Sequence, residues 1–501
     1  MITLCKKILV YLEDEAIPFR YSIFSFFFCV TLRNLMECYT SHSPIDFWGM
    51  THLYASYSVL ALTLGIVVYW GTKTPIQKIF RVLLPCHILL WIAPILDLIL
   101  SKGKGFDMAY MIPGLHHNLL MRYFTFFGPL EPMAVTPGIR IEIALILGLC
   151  ALYFFIKTKR WIKTVFMTIS VYTVIYLYSL LLFGIDMLSK LTGVYFFATD
   201  FMIAQLYLVM GIILGLICVI LSDSPFKKVL KEICIYRNLH YQLMIVLGAV
   251  LALKITPHFQ PNTPQLFALM TIPISLFFAG IYVMIINNLL DIKGDQISNQ
   301  TRVLASHQMS ESKYAAYQWP VLIIALGYAF SAGVIPLYLM LTLIGNYYLY
   351  SVPPLRLKRV TFFSKLVITV NSLLMVLMGY YLIHQSFSGF PIAIAILFFG
   401  FTFPINFIDL KDYDGDKACG IRSVPVVLGL KKAKHLIGLS FVGIYPLSGI
   451  ILLQNRLLSV LAIGIGLFHY AMILKEPYRE RNVFIPYLAA VIFVIVYIYI
   501  T

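Results

Sequence analysis

Apolar stretches of about twenty residues recur along the whole chain, and they constrain its fold more than any other feature. Each is long enough to cross a hydrocarbon layer of roughly 30 Å as a helix. Of the 501 residues, 60% are hydrophobic and only 12% are charged, whereas about 25% of residues in a soluble protein are charged. The sequence therefore predicts an all-α, polytopic, integral membrane protein. No removable signal peptide is expected, because the first twenty residues are rich in charge and lack an apolar segment followed by a cleavage site.

The apolar stretches predict about fifteen transmembrane helices, divided by one polar segment. That segment, residues 222–238 (SDSPFKKVLKEICIYRN), is basic and predicts a linker. It separates an N-terminal membrane block of about six helices, residues 1–221, from a second domain, residues 239–501. The predicted spans are 21–40, 51–70, 79–100, 141–156, 161–188, 201–221, 240–255, 265–290, 317–333, 335–351, 364–384, 390–408, 433–453, 456–474 and 484–500.

The net charge of +16 is explained better by membrane topology than by a nucleic-acid partner, and no nucleic acid is expected to bind. With nine spans after the linker, the Lys and Arg clusters all fall on one side of the membrane. By the positive-inside rule this side is cytoplasmic, and the linker lies there too. The clusters lie within 227–237, 293–313, 356–365, 411–434 and 475–481.

Two groups of polar residues close apolar stretches with the same spacing. In NNLLDIKGD (287–295), Asn288, Asp291 and Asp295 occupy positions i, i+3 and i+7, which share one face of a helix. The spacing returns 121 residues later in NFIDLKDYDGDKACGIRSVP, and both groups fall on the predicted cytoplasmic side. We therefore predict one shared site built by pseudo-symmetric halves. The second group is Asp409, Asp412 and Asp416, with Asp414 off its face.

The types of ligand in these two groups predict a magnesium site. Carboxylate and amide oxygens without Cys or a nearby His pair suit Mg²⁺. Mg²⁺ is usually held by a few carboxylates together with substrate phosphates, so the acids predict a phosphorylated ligand. Acids at a helix end are often only a solvated loop, but two groups of identical spacing are harder to explain in that way. The predicted metal ligands are Asn288, Asp291, Asp295, Asp409, Asp412 and Asp416.

A phosphorylated ligand also needs cations, and several follow the apolar stretches on the same side. In YLYSVPPLRLKR (348–359), two prolines end a helix immediately before the basic residues. Membrane topology alone explains many of these cations. Arg302, Lys358 and Arg422 are nevertheless predicted to bind substrate, because their loops carry or adjoin the acids.

These segments resemble the UbiA superfamily of intramembrane prenyltransferases. NNLLDIKGD resembles the family's first motif, NDxxDxxxD, and DLKDYDGDKACGIRSVPVVLG resembles its second. YSVPPLRLKR is similar to the loop that the family carries between the motifs. The resemblance covers roughly residues 235–500 and does not extend to the N-terminal block, whose function stays open. Asn288 departs from the pattern, since the family usually has Asp there, whereas Asn287 keeps the leading Asn.

The resemblance implies a nine-helix bundle that moves a prenyl group from a prenyl diphosphate to an aromatic or other lipophilic acceptor, as in lipid or quinone biosynthesis. Mg²⁺ would act as the Lewis acid on the released diphosphate. The resemblance gives catalytic roles to Asp291, Asp295, Asp412 and Asp416, and it adds Asn287 and Asn288 to the substrate-binding residues. The expected partners are the prenyl diphosphate, the acceptor and membrane lipid, and the expected active site faces the cytoplasm.

Two other functions remain compatible with the acids. The first is transfer of another diphosphate-activated group, such as phosphoribosyl to a lipid phosphate, which would need extra polar and basic residues near the site. The second is a divalent-cation transporter, which would place charges near the membrane midplane rather than at one face. Asn371, in the middle of a span, either contacts the acceptor or bridges two helices.

Overall fold

The computed structural model describes residues 2–14, 18–40, 47–106, 118–128, 135–181, 200–256 and 259–501, and within these ranges it contains helices and no strand. The all-α prediction is confirmed. The chain divides into two compact units, Met1–Ser224 and Pro225–Thr501. This division falls inside the predicted linker 222–238. Much of that linker is helical, because one short helix occupies Phe226–Lys231 and the next begins at Ile235.

The first unit is built from long apolar helices packed in pairs. Helix α3 packs along α9, and α7 packs against both α5 and α8. The predicted span 79–100 is interrupted by a 3₁₀ segment, Pro85–Trp91, which begins at a proline. The helices are α1 (Ile2–Leu12), α2 (Phe19–Thr40), α3 (Phe47–Thr72), α4 (Ile76–Leu83), α5 (Ile92–Leu100), α6 (Leu119–Phe124), α7 (Pro137–Thr158), α8 (Trp161–Ser179) and α9 (Asp200–Leu221).

A buried carboxylate joins two helices of this unit. Asp97 of α5 accepts a 2.5 Å hydrogen bond from Thr136 Oγ1 and a 2.8 Å bond from the backbone N–H of Gly138. Thr136 is also the N-cap of α7, and its hydroxyl accepts from Ile139 N. Asp97 therefore gives a hydrogen-bond acceptor to the Gly138 N–H, which lies in the first turn of α7 and has no partner inside that helix.

In the described part of the second unit, eight helical segments are long and apolar enough to cross a membrane, and shorter helices lie between them. They are interrupted near the motif segments by 3₁₀ turns at Leu357–Arg359 and Pro404–Asp412. The α-helices are α10 (Phe226–Lys231), α11 (Ile235–Ile255), α12 (Thr263–Leu290), α13 (Ile292–Ser298), α14 (Glu311–Ala315), α15 (Gln318–Ser331), α16 (Val334–Ser351), α17 (Thr361–His384), α18 (Ile392–Gly400), α19 (Tyr413–Ala418), α20 (Val424–Leu428), α21 (Leu430–Ser448), α22 (Arg456–Leu474) and α23 (Glu480–Ile500).

Two glycines bring the backbones of α11 and α17 into direct contact. A Cβ atom added at Gly248 would lie 1.8 Å from the carbonyl oxygen of Val376, and one added at Gly379 would lie 1.8 Å from that of Ile245. Small residues at such positions let helices in a membrane approach closely and gain van der Waals contact. Helix α11 also packs on α23, while α12 packs on α15 and α16, so these helices surround a common interior.

Thirteen helical segments of the described chain are long and apolar enough to cross a membrane. The chain is therefore an integral, multi-pass membrane protein, as its composition predicts. Two predicted spans are not among the thirteen. The span 21–40 became α2, which buries Arg33 and Glu37, and the span 317–333 became α15, which has only 14 residues. Polarity in the first case and length in the second explain the difference.

Candidate active site

The first motif begins at the end of α12, and here the local structure differs from the prediction. A continuous helix was expected to place Asn288, Asp291 and Asp295 on one regular face. Instead α12 ends at Leu290, Asp291 adopts a non-helical conformation with φ −111° and ψ 12°, and α13 begins at the next residue. The backbone bond from Asp295 N to Asp291 O, 2.9 Å long, closes the turn after the break. All three side chains still line one cavity.

The second motif lies on tighter helical turns than an α-helix provides. Asp409 and Asp412 belong to the 3₁₀ segment Pro404–Asp412, in which residues three apart lie almost directly above one another. Asp416 follows one turn later in α19. The three carboxylates line the same cavity as the first motif, whereas Asp414 is exposed to solvent. The residues of both motifs therefore line one cavity, and a shared metal site there stays a prediction.

Close backbone packing joins the two motifs. The helix after the first motif, α13, packs on the helix after the second, α19. The Gly415 N–H donates a 3.1 Å hydrogen bond to Ser298 Oγ, and a Cβ at Gly415 would lie 2.2 Å from that oxygen and 3.1 Å from Gly294 O. Asn299 then donates to one acid of each motif, Asp295 Oδ1 at 3.1 Å and Asp412 Oδ1 at 3.2 Å.

The cavity between these elements has a volume of about 990 Å³ and collects most of the predicted site residues. Arg422 is the exception. Its side chain is exposed and does not belong to the described cavity lining, so the prediction that it contacts substrate is not supported by its position. The predicted residues that line the cavity are Asn287, Asn288, Asp291, Asp295, Arg302, Lys358, Asp409, Asp412 and Asp416.

Cations from two loops, one of them directly after the first motif, contact the acids of that motif. Lys358 Nζ contacts the Asp291 carboxylate and donates a 3.2 Å hydrogen bond to Asn287 Oδ1. Arg356 adds a 3.0 Å ion pair to the same Asp291. Arg302 pairs with Asp295 at 2.5 Å and donates to Asn288 Oδ1 at 2.9 Å. The cations expected to bind phosphate therefore stand beside the carboxylates expected to bind metal.

Sequence reasoning missed two further cations at the site. Lys365, in the first turn of α17, is 1% exposed, and its Nζ lies 2.6 Å from Asp409 Oδ1. Arg237, at the start of α11, lines the cavity and pairs with Glu480 at 3.0 Å. The available signal was a basic residue just inside an apolar stretch, where an unpaired charge is costly. That position indicates a partner but does not identify it.

Burial changes the pKa of two charged groups at the mouth of the cavity. Burial raises the pKa of the Asp295 carboxyl, and the neighbouring Arg302 guanidinium opposes this rise. Burial likewise lowers the pKa of the Lys358 ammonium, against the opposing effect of Asp291. For each group, the neighbouring opposite charge therefore offsets only part of the effect of burial on the pKa.

Deeper along each helix the cavity becomes apolar and aromatic. One to three turns beyond the charged residues, the lining side chains include Met244 and Leu247 of α11 and Tyr347 of α16. Some polar groups remain there and bond one another, as where His240 bonds Ser372 Oγ at 2.8 Å and Tyr487 Oη at 3.0 Å. The other apolar and aromatic lining residues include Leu276, Val283, Met284, Leu343, Ile368, Leu397, Phe398, Phe401, Phe441, Tyr445, Phe484 and Val494.

Asn371 bridges two helices. Its Oδ1 accepts a 2.8 Å hydrogen bond from Asn346 Nδ2, which joins α17 to α16, and the side chain is fully buried. Of the two roles that the sequence left open, the structure supports the bridge.

The model of the UbiA prenyltransferase family matches residues 243–498, just over half of the chain. This match contains both motifs, the basic loop between them and most of the residues that line the cavity. The chain belongs to the UbiA prenyltransferase family. The resemblance seen in the sequence is thereby confirmed, and residues 1–242 lie outside the matched region.

A curated relative and two solved structures show how far the similarity extends. The probable homogentisate phytyltransferase 1 of Oryza sativa subsp. japonica is 30% identical over 171 residues, or 32% of this chain and 42% of the relative. The chain thus matches less than half of that relative's length. A UbiA homologue from Archaeoglobus fulgidus bound to GPP and Mg²⁺ is 20% identical, with a TM-score of 0.45, over 55% of this chain and 98% of the homologue. The apo UbiA homologue from Aeropyrum pernix K1 is 16% identical, with a TM-score of 0.42, over 52% and 97%.

The chemistry of the cavity mouth fits a magnesium ion that binds together with an anion. Its acidic oxygens are the ligands that Mg²⁺ prefers. Among the described residues, however, no three His, Cys, Asp or Glu side chains stand close enough to hold an ion by themselves. The lining contains seven acidic and seven basic residues. Equal numbers of acidic and basic residues fit a metal ion that binds together with water and phosphate. They fit a metal ion held by protein side chains alone less well.

Proposed function

We propose that this membrane protein is a Mg²⁺-dependent prenyltransferase that moves a prenyl group from a prenyl diphosphate to a lipophilic acceptor within the bilayer. The observation that carries the proposal is the division of the cavity. Both acidic motifs and their cations surround the mouth, and the same helices carry apolar and aromatic side chains further inside. A diphosphate joined to a hydrocarbon chain has the same division between a charged end and an apolar end.

The residues at the mouth would hold the diphosphate from two sides. Asp291, Asp295, Asp409, Asp412 and Asp416, with the Asn288 oxygen, are the proposed ligands of Mg²⁺, which supplies Lewis-acid stabilisation of the leaving diphosphate when bound. Arg302, Lys358, Lys365 and Arg356 would neutralise the remaining phosphate oxygens. Asn287 would orient Lys358 through their 3.2 Å hydrogen bond.

The interior residues would protect the reacting carbon. Cleavage of the C–O bond leaves an allylic carbocation, which water would quench, so an apolar cavity favours transfer to the acceptor. Aromatic faces such as that of Tyr347 can stabilise a nearby cation by roughly 0.5–2 kcal/mol each. The electron pair of the broken bond leaves with the diphosphate, and the acceptor forms the new bond to the prenyl carbon as it loses a proton.

Two finer assignments belong to the same proposal. The mouth of the cavity faces the cytoplasm, because the loops around it carry the Lys and Arg clusters of the second unit. The acceptor is an aromatic compound, a choice supported by the similarity to the rice relative, a probable homogentisate phytyltransferase. Phosphoribosyl transfer is less well supported, since the interior of the cavity is apolar beyond the mouth.

Mass spectrometry of the reaction product tests this proposal. Purified protein would be incubated with Mg²⁺, isotope-labelled prenyl diphosphates of several lengths and a membrane lipid extract. The expected product is a lipophilic compound that has gained the labelled prenyl group. Labelled phosphoribosyl diphosphate would be offered in a parallel incubation. A product that gained the labelled sugar phosphate, without any prenylated product, would contradict the assignment.

A further inference from the structure

Glu232 reaches the active site from outside the region that matches the family. It follows α10 in the segment that leads into α11, eleven residues before the family match begins at residue 243. Its side chain lines the cavity. Nothing in either motif indicates a role for this position, which the sequence alone predicts to lie in a linker.

The Glu232 carboxylate joins three separate parts of the site. Its Oε1 accepts a 2.7 Å hydrogen bond from the backbone N–H of Val303, beside Arg302. Its Oε2 accepts from Tyr314 Oη at 2.5 Å and from Asn288 Nδ2 at 3.3 Å. Within the part of the chain that the structure describes, Glu232 forms hydrogen bonds and no ion pair. Its negative charge is therefore not cancelled by a direct cationic partner.

These bonds fix the orientation of the Asn288 amide. The Asn288 Nδ2 donates to Tyr314 Oη at 2.9 Å and to Glu232, which can only accept. The opposite end of the amide, Oδ1, then faces Arg302 Nη1, which lies 2.9 Å away. Since Arg302 also pairs with Asp295, the direction of this amide affects two positions of the first motif.

A comparison of the two motifs shows what the first one lacks. At equivalent positions the second motif has Asp409 and the first has Asn288, so the first contains two carboxylates and the second contains three. Both of these leading residues bond a cation, Lys365 for Asp409 and Arg302 for Asn288. A third carboxylate does stand next to the first motif, but it belongs to Glu232.

We propose that Glu232 is a positioning residue that supplies the third negative charge of the first motif and holds the Asn288 oxygen toward the metal site. The inference rests on the proposed function, because it assumes that the motif binds a divalent ion. It makes the segment before α11 part of the donor site.

The test measures metal binding rather than turnover. Mn²⁺ replaces Mg²⁺, inorganic diphosphate replaces the donor, and electron paramagnetic resonance gives the dissociation constant of the ion for the full-length protein. Glu232→Gln should weaken binding about 10- to 100-fold, the usual effect of losing a residue that orients a metal ligand. The Gln side chain would present its N–H₂ group to the N–H₂ group of Asn288. The Asn288 amide would then have to rotate, and its N–H₂ group would face Arg302, which is also a hydrogen-bond donor.

Moving the charge back into the motif should restore binding. In the double variant Glu232→Gln and Asn288→Asp, the Gln Oε1 still accepts from Val303 N and its N–H₂ donates to the new Asp carboxylate. The single variant Asn288→Asp adds a carboxylate beside Glu232 whose repulsion a divalent ion relieves, so it should bind at least as well as the wild type. Asp223→Asn is the matched control, because it removes an exposed carboxylate from the same linker and should leave the constant unchanged.

The outcomes separate this inference from the proposed function. If the wild-type protein binds no Mn²⁺ with diphosphate, the proposed function fails and the inference with it. If the wild type binds and Glu232→Gln binds equally well, the inference alone is overturned, even when the variant melts at a lower temperature. If the double variant binds no better than Glu232→Gln, the charge has no role that can be moved between the two positions, and the inference is again overturned.

Discussion

At the level of single residues, Asp412 and Asp414 are two positions apart yet have different surroundings. Asp412 lines the cavity and accepts a hydrogen bond from Asn299, whereas Asp414 is exposed. Asp412→Asn should lower donor-dependent diphosphate release at least about 100-fold, as expected when a charge that stabilises the transition state is lost. Asp414→Asn, the matched control, should stay within about twofold of the wild type. An inactive Asp414 variant beside an active Asp412 variant would refute the assignment.

The residues that sequence reasoning found and missed differ in a physical way. Asp291, Asp412 and their neighbours stand out because each group is local and closes an apolar stretch. Lys365 and Glu232 do not, since their partners Asp409 and Asn288 are 44 and 56 residues away in the chain. Only the folded structure brings such pairs together.

At the level of helices, the sequence predicts most of the elements but not their local shape. Apolar length locates the spans, while the break at Asp291 and the 3₁₀ turns of Pro404–Asp412 depend on contacts made after folding. The approach of α13 to α19 is one such contact, and it sets the distance between the two motifs.

Gly415→Ala tests whether this approach positions the motifs. The new methyl group would overlap Ser298 Oγ and press on Gly294 O, so the Ser298 side chain must rotate and lose its bond to Gly415 N, and α19 must shift slightly from α13. Donor affinity should fall about tenfold, because a binding site tolerates displacements of only about 0.5 Å in the side chains that form it. Isothermal titration with a prenyl diphosphate and Mg²⁺ would measure the affinity. Unchanged affinity in the folded variant would show that the motifs do not need this close packing.

The contact between α11 and α17 gives a prediction about stability. Gly248→Ala places a methyl group against the carbonyl of Val376 and should destabilise the protein by about 1–3 kcal/mol, the usual cost of overpacking. Gly345→Ala is the control, because no atom lies within 4 Å of its added Cβ and Ala favours helices. Thermal unfolding in detergent should therefore give a lower melting temperature for Gly248→Ala only. Equal melting temperatures would contradict the close contact.

At the level of the whole molecule, the division at Ser224 and Pro225 predicts that the second unit contains the donor site. Every proposed ligand of metal or diphosphate lies after this division. A protein beginning at Pro225 keeps Glu232 and should bind a prenyl diphosphate with Mg²⁺. A protein beginning at Ile235 loses Glu232 and should bind more weakly. The comparison requires monodisperse protein in both cases, and a well-folded Pro225 variant that does not bind would show that the first unit contributes to the site.

The central claim is that the two acidic motifs form one Mg²⁺-dependent site for a prenyl diphosphate. The most direct test is the release of diphosphate from a prenyl diphosphate by the purified protein with a lipid extract as the source of acceptor. Release should stop in EDTA, return when Mg²⁺ is restored, and be lost in both Asp291→Ala and Asp412→Ala, one variant from each motif. Undiminished release in EDTA, or full activity in either variant, would contradict the account.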